Sequence, residues 1–199
     1  KAVKPVNAMG MTKALQEKLI LSDEITKDKT TFCCVRYGNV LGSRGSVIPL
    51  WDKLLEQNKP LPITHPDMTR FMLTLSQAID LVFYSLKNGK GGEIFVKKAP
   101  ATKMVNLARA YAELKTGKKN YPLEYIGIRA GEKIDEVLVS EEEMRRVSEK
   151  KDHFVIKRES LIDKNFLKKS TKLTEYGSGT ITPLNIEELK SLMKQLKWV

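Results

Sequence analysis

Two residues near the start of the chain have the types and the spacing to face a single ligand. Met9 and Lys13 stand four apart, and Lys13, Ala14, Leu15, Gln16, Glu17, Lys18 and Leu19 are good helix formers, so both side chains share one helical face. Lys13 brings a positive charge, whereas the thioether of Met9 has no proton to give. A second candidate is Gly42-Ser43-Arg44-Gly45-Ser46, a small-residue loop that offers free backbone N–H groups and one guanidinium to an anion. A third is Tyr37-Gly38-Asn39-Val40, directly after an apolar run. His65, before a proline, and His153, in a charged segment, have no visible partners and read as surface or satisfied histidines.

The elements that must position these residues follow from periodicity. Residues 11 to 22 read as a helix, and Thr30–Tyr37 as a short, buried parallel strand bounded by Gly38 and Asn39. Helix followed by buried strand is half a βαβ unit, and ligands in such sheets lie beyond the carboxyl ends of the strands. That places Tyr37, Gly38, Asn39 and Val40 at a ligand; the alternative is that Gly38 and Asn39 only turn the chain. Val47–Asn58 reads as a helix, and the stretch after Pro60 as extended through Thr64. Thr74-Leu-Ser-Gln77 has capping-box spacing, with Leu75, Ala78, Ile79, Val82 and Leu86 following at helical intervals. Gly92–Val96 is strand-like. Lys103–Lys115 is a helix with Met104, Leu107, Ala108, Tyr111 and Leu114 on its core side. Leu123–Ile128 reads as a strand, Glu141–Lys151 as a charged surface helix, and His153–Ile156 as extended. Residues 159–180 read as loop, and Asn185-x-x-Glu188 caps a last amphipathic helix.

The phrase Pro5-x-Asn7-x-Met9-Gly10-x-Thr12-Lys13 resembles the active-site helix of extended short-chain dehydrogenase/reductases, whose usual pair is Tyr-x-x-x-Lys. With methionine at the tyrosine position it is similar to the UDP-N-acetylglucosamine 4,6-dehydratases of capsule and O-antigen polysaccharide biosynthesis. Collinear phrases extend the resemblance over roughly residues 1 to 150: Arg36-Tyr-Gly-Asn-Val-Leu-Gly-Ser-Arg-Gly-Ser-Val-Ile-Pro49, Pro60-Leu-Pro-Ile-Thr-His-Pro-Asp-Met-Thr-Arg-Phe71, Gly92-Glu-Ile-Phe-Val96 and Ile128-Arg-Ala-Gly-Glu-Lys133. The resemblance implies a lyase that oxidises C4 of a UDP-hexose with NADP or NAD, NADP being favoured. Water is then lost across C5 and C6 with C5 inversion, and hydride returns to C6. It implies that Lys13, with Tyr37, Gly38, Asn39 and Val40, meets the cofactor, Lys13 holding the nicotinamide ribose. Asn39, Arg44, Ser46, Val47, Arg70, Arg129 and Glu132 are assigned to the substrate, Arg70 and Arg129 with Glu132 to the UDP diphosphate and ribose. The local alternative for these three is a structural ion pair. Lys1 stands at the spacing of the lysine in an Asp-Lys pair that carries the elimination in related tyrosine enzymes, so Lys1, Met9 and Lys13 form the expected catalytic set. Two rivals are the tyrosine-type inverting dehydratase of pseudaminic-acid synthesis, which Met9 disfavours, and a non-catalytic basic module that binds sugar nucleotides.

The expected fold is α/β: the C-terminal part of a doubly wound, Rossmann-type parallel sheet plus a smaller α/β substrate domain. Residues 1–49 are assigned to the first and 50–199 to the second, with 92–98 returning as a strand to the Rossmann sheet. The dinucleotide fingerprint Gly-x-Gly-x-x-Gly occurs nowhere in the 199 residues, so the chain reads as a fragment without dehydratase turnover of its own. Hydrophobic residues make up 41% and charged residues 30%, with no apolar run of membrane-spanning length. The net charge of +11 suits an anionic partner, yet the lysines are scattered apart from Lys150-Lys151, Lys157-Arg158 and the Lys164–Lys172 run. No nucleic-acid signature accompanies them, which leaves a solvated basic surface. Cys33 and Cys34, adjacent and apolar in context, suit neither a disulfide framework nor a zinc site. The expectation is a cytoplasmic homo-oligomer acting on UDP-N-acetylglucosamine, without nucleic acid or membrane insertion.

Overall fold

The apolar run ending at Tyr37 forms β1 (Cys34–Arg36), which lies parallel to β5 (Ile94–Lys97) with Val35 opposite Phe95. Parallel neighbours need a crossover, and α3 (Leu75–Asn88), within the chain between them, packs on both strands. The computed structural model describes residues 1–22, 30–43, 45–158 and 173–196. Arg44, the Lys164–Lys172 run and most of the loop expected over 159–180 lie outside the described residues.

The far edge of β5 pairs antiparallel with β10 (His153–Ile156), which pairs antiparallel with β9 (Val147–Glu149). This corrects the expected surface helix over Glu141–Lys151. Ser140 starts it with a capping box to Glu143, but α5 runs only over Glu141–Met144 before the chain turns into β9. Val147 and Ser148 are half-buried, and pairing with β10 overrides local propensity. β1 is likewise half-buried along its length rather than fully buried.

A second sheet joins β2 (Asn39–Val40), β4 (Thr69–Leu73) and β6 (Ala101–Lys103), with β2 parallel and β6 antiparallel to β4. β3 (Leu61–Ile63) pairs parallel with β7 (Leu123–Tyr125), and β8 (Val137–Val139) antiparallel with β11 (Tyr176–Gly177). One core cluster packs Trp51, Leu61, Ile63, Leu107, Tyr111, Leu189 and Met193. These come from α2 (Val47–Glu56), β3, α4 (Met104–Thr116) and α6 (Ile186–Gln195). The other gathers Phe71, Leu73, Ile94, Val96, Val139, Phe154 and Ile156 around the four-stranded sheet. α4 stops at Gly117, whose φ of +74° is a left-handed conformation that favours glycine. Asn185 and Glu188 form the capping box read for α6, and Lys190 on that helix bonds Glu113 of α4 at 2.6 Å.

The first helix, α1 (Ala8–Ile20), starts upstream of the expected residue 11, because the Asn7 side chain accepts the Gly10 N–H and caps it. Gly10 is its one buried residue; Met9, Met11, Leu15 and Leu19 are exposed. In α3 the capping box of Thr74 and Gln77 is present, but Ala78, Leu81 and Ser85 are the buried residues. Leu75, Ile79, Val82 and Leu86 of the apolar pattern face solvent in this chain.

Candidate functional site

The parallel pairing of β2 with β4 sets Asn39 and Val40 beside Met72 and Leu73; Ser46, whose N–H bonds the Ser43 carbonyl in the turn that follows, then occupies the N-cap of α2. Between this turn, β3, β4 and α4 lies a cavity of about 530 Å³. Asn39, Val40, Ser46, Val47, Arg70, Arg129 and Glu132 all line it, so residues read from four separate stretches converge on one space. Its floor is apolar: Trp51, Met68, Met72, Met104 and Leu107 contribute, with Ile63 and Ile126 at one side. A wall of that kind with a few polar groups at its rim suits a ligand with a flat apolar part and an anionic part.

The polar groups differ in freedom. Arg70 is largely occupied by its own fold: Nη1 donates to the carbonyls of Thr69 and Ile134 at 2.6 and 2.9 Å, and Nη2 to that of Lys133 at 2.8 Å. Its Nε lies 3.7 Å from Glu136. Burial lowers its pKa from the ordinary arginine value, and Glu136 offsets part of that effect. Arg70 therefore cross-links β4 to residues 133–136 and retains about one N–H for a ligand, given five donors in the guanidinium. Arg129 is exposed, and no bond among the described residues engages its guanidinium. Glu132 accepts the Arg129 N–H at 3.0 Å, which closes a tight turn and fixes its carboxylate at the cavity rim.

Of the other predicted residues, Lys1, Met9, Lys13, Tyr37 and Gly38 do not line this cavity, and Arg44 lies outside the described residues. Met9 is exposed on α1, Lys13 donates to Gln16 Oε1 at 3.1 Å, and Lys1 and Tyr37 are exposed. Gly38 has a packing role: a Cβ there would lie 2.3 Å from the Cβ of the fully buried Phe71, so β1 and β2 can connect past β4 only without a side chain. For a nicotinamide dinucleotide the residues present fit one end. The Lys13 ammonium keeps donors that could hold a ribose diol, while the glycine-rich turn that holds a pyrophosphate is absent from the 199 residues. Among the described residues no cluster of three His, Cys, Asp or Glu is placed to hold a metal ion.

Two features of the surroundings carried no assigned role in the sequence. Arg36 of β1 forms a buried fork between Glu17 of α1 and Glu143 of α5. Nε meets Glu17 at 2.8 Å, Nη2 meets both carboxylates, and Nη1 reaches Glu143 at 2.9 Å and the Leu138 carbonyl at 3.0 Å. Burial opposes the Arg36 charge, but these bonds outweigh it and hold the pKa above the ordinary value. In Glu143, burial works the other way, and Arg36 together with Ser140 leaves it below the ordinary carboxylate range. The second feature is Asn7, whose Nδ2 donates to the Gly131 carbonyl at 2.9 Å. Partners so distant in sequence leave no periodic signal, although an Arg in an apolar run does point to a buried acid.

The chain belongs to the polysaccharide biosynthesis protein family, whose model matches residues 1–158. UDP-glucose 4-epimerases of Rickettsia bellii (strain OSU 85-389) and Rickettsia felis are each 43% identical over 208 residues, covering all of this chain and 60% of theirs. The chain thus spans about 60% of the length of these relatives. The structure of Pen from Bacillus thuringiensis matches with 35% identity and a TM-score of 0.86, again over 100% of this chain and 60% of that one. A dTDP-glucose 4,6-dehydratase from Bacillus anthracis, at 18% identity and TM-score 0.54 over 63% of this chain and 41% of its own, shares the fold. The fold is α/β of Rossmann type, present here in part.

Proposed function

We propose that the cavity binds the UDP part of a sugar nucleotide and that the whole protein is a UDP-N-acetylglucosamine 4,6-dehydratase that inverts C5. The observation that carries the binding reading is convergence: two arginines and a carboxylate from stretches some 60 residues apart in the chain meet at the rim of one apolar-floored cavity. Arg129, whose guanidinium makes no bond among the described residues, is the principal partner for the diphosphate, with one N–H of Arg70 beside it. The Glu132 carboxylate, already fixed by its own turn, is suited to vicinal hydroxyls. Relatives named UDP-glucose 4-epimerase support a UDP-sugar ligand.

A nicotinamide dinucleotide, when bound, would take hydride from C4 and return it to C6; NADP is the form the resemblance favours. Lys13 would hold the nicotinamide ribose and lower the pKa of neighbouring hydroxyls by its charge. Met9 would pack against the reacting sugar without exchanging a proton, which leaves proton transfer to Lys1 and its neighbours. The dehydratase reading rests on Met9-x-x-x-Lys13; the names of the 43% identical relatives favour a second reading, C4 epimerisation. Both begin with oxidation at C4. They separate by product: with UDP-N-acetylglucosamine the dehydratase releases a compound lighter by one water, and an epimerase an isomer of equal mass.

Calorimetric titration of the 199-residue chain with UDP tests the binding reading directly. Saturable binding is expected, weakened by roughly ten- to a hundredfold in Arg129→Ala, as for loss of a hydrogen bond to a charged group. Equal affinity in the variant, or no uptake by the wild type, would sink it.

A further inference from the structure

Asn7 uses both ends of its side-chain amide. Oδ1 accepts the Gly10 N–H at 2.9 Å and caps α1, while Nδ2 donates to the Gly131 carbonyl at 2.9 Å. The reversed amide would set donor against donor and acceptor against acceptor, so the two partners fix its orientation. Gly131 sits at φ +79°, and a Cβ there would stand 3.2 Å from Asn7 Cβ, so a side chain at 131 would crowd Asn7. A second tie runs alongside: Lys133 Nζ donates to the Val3 carbonyl at 2.6 Å. The turn that receives these bonds is itself cross-braced, with the Glu132 carboxylate on the Arg129 N–H and the Glu132 N–H on the Arg129 carbonyl at 3.1 Å. One side chain thus joins the first turn of the helix bearing Met9 and Lys13 to the loop bearing Arg129 and Glu132, 124 residues away.

We propose that Asn7 is a positioning residue that transmits occupancy of the Arg129–Glu132 loop to the first turn of α1, so that a bound diphosphate steadies Met9 and Lys13. The inference rests on the reading that this loop holds the UDP group. A ligand on Arg129 and Glu132 restricts the turn, the turn holds the Gly131 carbonyl still, and the Asn7 amide then frays less from the Gly10 N–H. Coupling of this kind requires a shared ordering cost and no large movement.

Asn7→Asp separates this coupling from helix capping. Aspartate caps a helix as well as asparagine, but its carboxylate has no donor for the Gly131 carbonyl and faces it with negative charge. The readout is hydrogen exchange of the 199-residue chain with and without UDP. In the wild type, UDP is expected to slow exchange of the amides of residues 10–13 by about fivefold, the effect of one ordinary hydrogen bond. In Asn7→Asp, UDP binds within about threefold of wild-type affinity, a margin below that of one hydrogen bond, and the slowing over residues 10–13 disappears. UDP uptake without slowing in the wild type, or slowing retained in Asn7→Asp, overturns the coupling alone. Absence of UDP uptake by the wild type overturns the reading of the site, and the coupling falls with it.

Discussion

Methionine at position 9 removes a proton donor from the place where the resembling family usually has tyrosine, and Lys13 keeps the charge one helical turn away. The two residues therefore predict opposite sensitivities. In the whole protein, Lys13→Ala should lower turnover on the order of a hundredfold if, as proposed, its ammonium organises the nicotinamide ribose. Met9→Leu should keep most activity, since volume is conserved and neither side chain exchanges a proton. Steady-state rates for both variants check this; a Lys13→Ala enzyme of near-normal rate would remove the assigned role. That Met9 and Lys13 share one helix was readable in the sequence because helical spacing is local. Arg70 was less so: its type suggested an anion, but three backbone carbonyls claim most of its donors, and backbone geometry cannot be read from a side chain's identity.

Among the elements, α1 owes little to burial, since only Gly10 of its residues is buried. The Arg36 fork holds it instead, with side chains of Arg36, Glu17 and Glu143 at 9%, 13% and 11% exposure. Arg36→Ala should destabilise the chain by about 3–5 kcal/mol, because two carboxylates are left buried without their cation. Denaturant unfolding measures it, and a loss typical of a surface pair would show that the fork is not holding the helix. Acid should act through the same group. The folded Glu143 pKa lies below its ordinary 4.5, so its contribution is full above about that pH and is lost as pH falls through the folded value. Glu143→Gln should flatten that part of the acid limb.

For the whole molecule, β10 lies inside the four-stranded sheet between β5 and β9, and its first residue introduces a pH dependence near neutrality. The His153 ring lies 4.2 Å from that of Tyr84 on α3, and its Nε2 is buried without a hydrogen-bond partner among the described residues. Burial lowers its pKa below 6.5, and Lys97, Lys98 and Lys150 add to this against Asp152. The unfolded chain therefore takes up the proton first. Stability is full above pH 6.5 and falls as pH drops through the folded value. His153→Phe should remove that slope in denaturation curves between pH 5 and 7, the interval that brackets an ordinary histidine pKa of about 6.5; an unchanged slope would mean that His153 titrates freely. No helix among the described residues is long and apolar enough to cross a membrane, and the exposed apolar residues are instead concentrated on α1 and α3.

Local chemistry decided much of this protein before it folded. Capping boxes at Thr74 and Asn185, the α4 stripe ending at Gly117 and the apolar run of β1 all depend on residues within a few positions of one another. Tertiary structure decided which of these meet. It carried Arg70, Arg129 and Glu132 to the same cavity as Asn39 and Ser46, while leaving Met9 and Lys13 on an exposed face. It turned the Glu141–Lys151 stretch into a single helical turn and a strand, because β10 offered an edge with unpaired backbone groups and ladder bonds outweigh weak helix propensity. It also buried Ala78 and Leu81 rather than Leu75 and Leu86, because the packing of α3 on β1 and β5 decides which helical face turns inward. Gly38 shows both at once: the residue type marked a turn, but the reason for it is a phenylalanine 33 positions later that leaves no room for a Cβ.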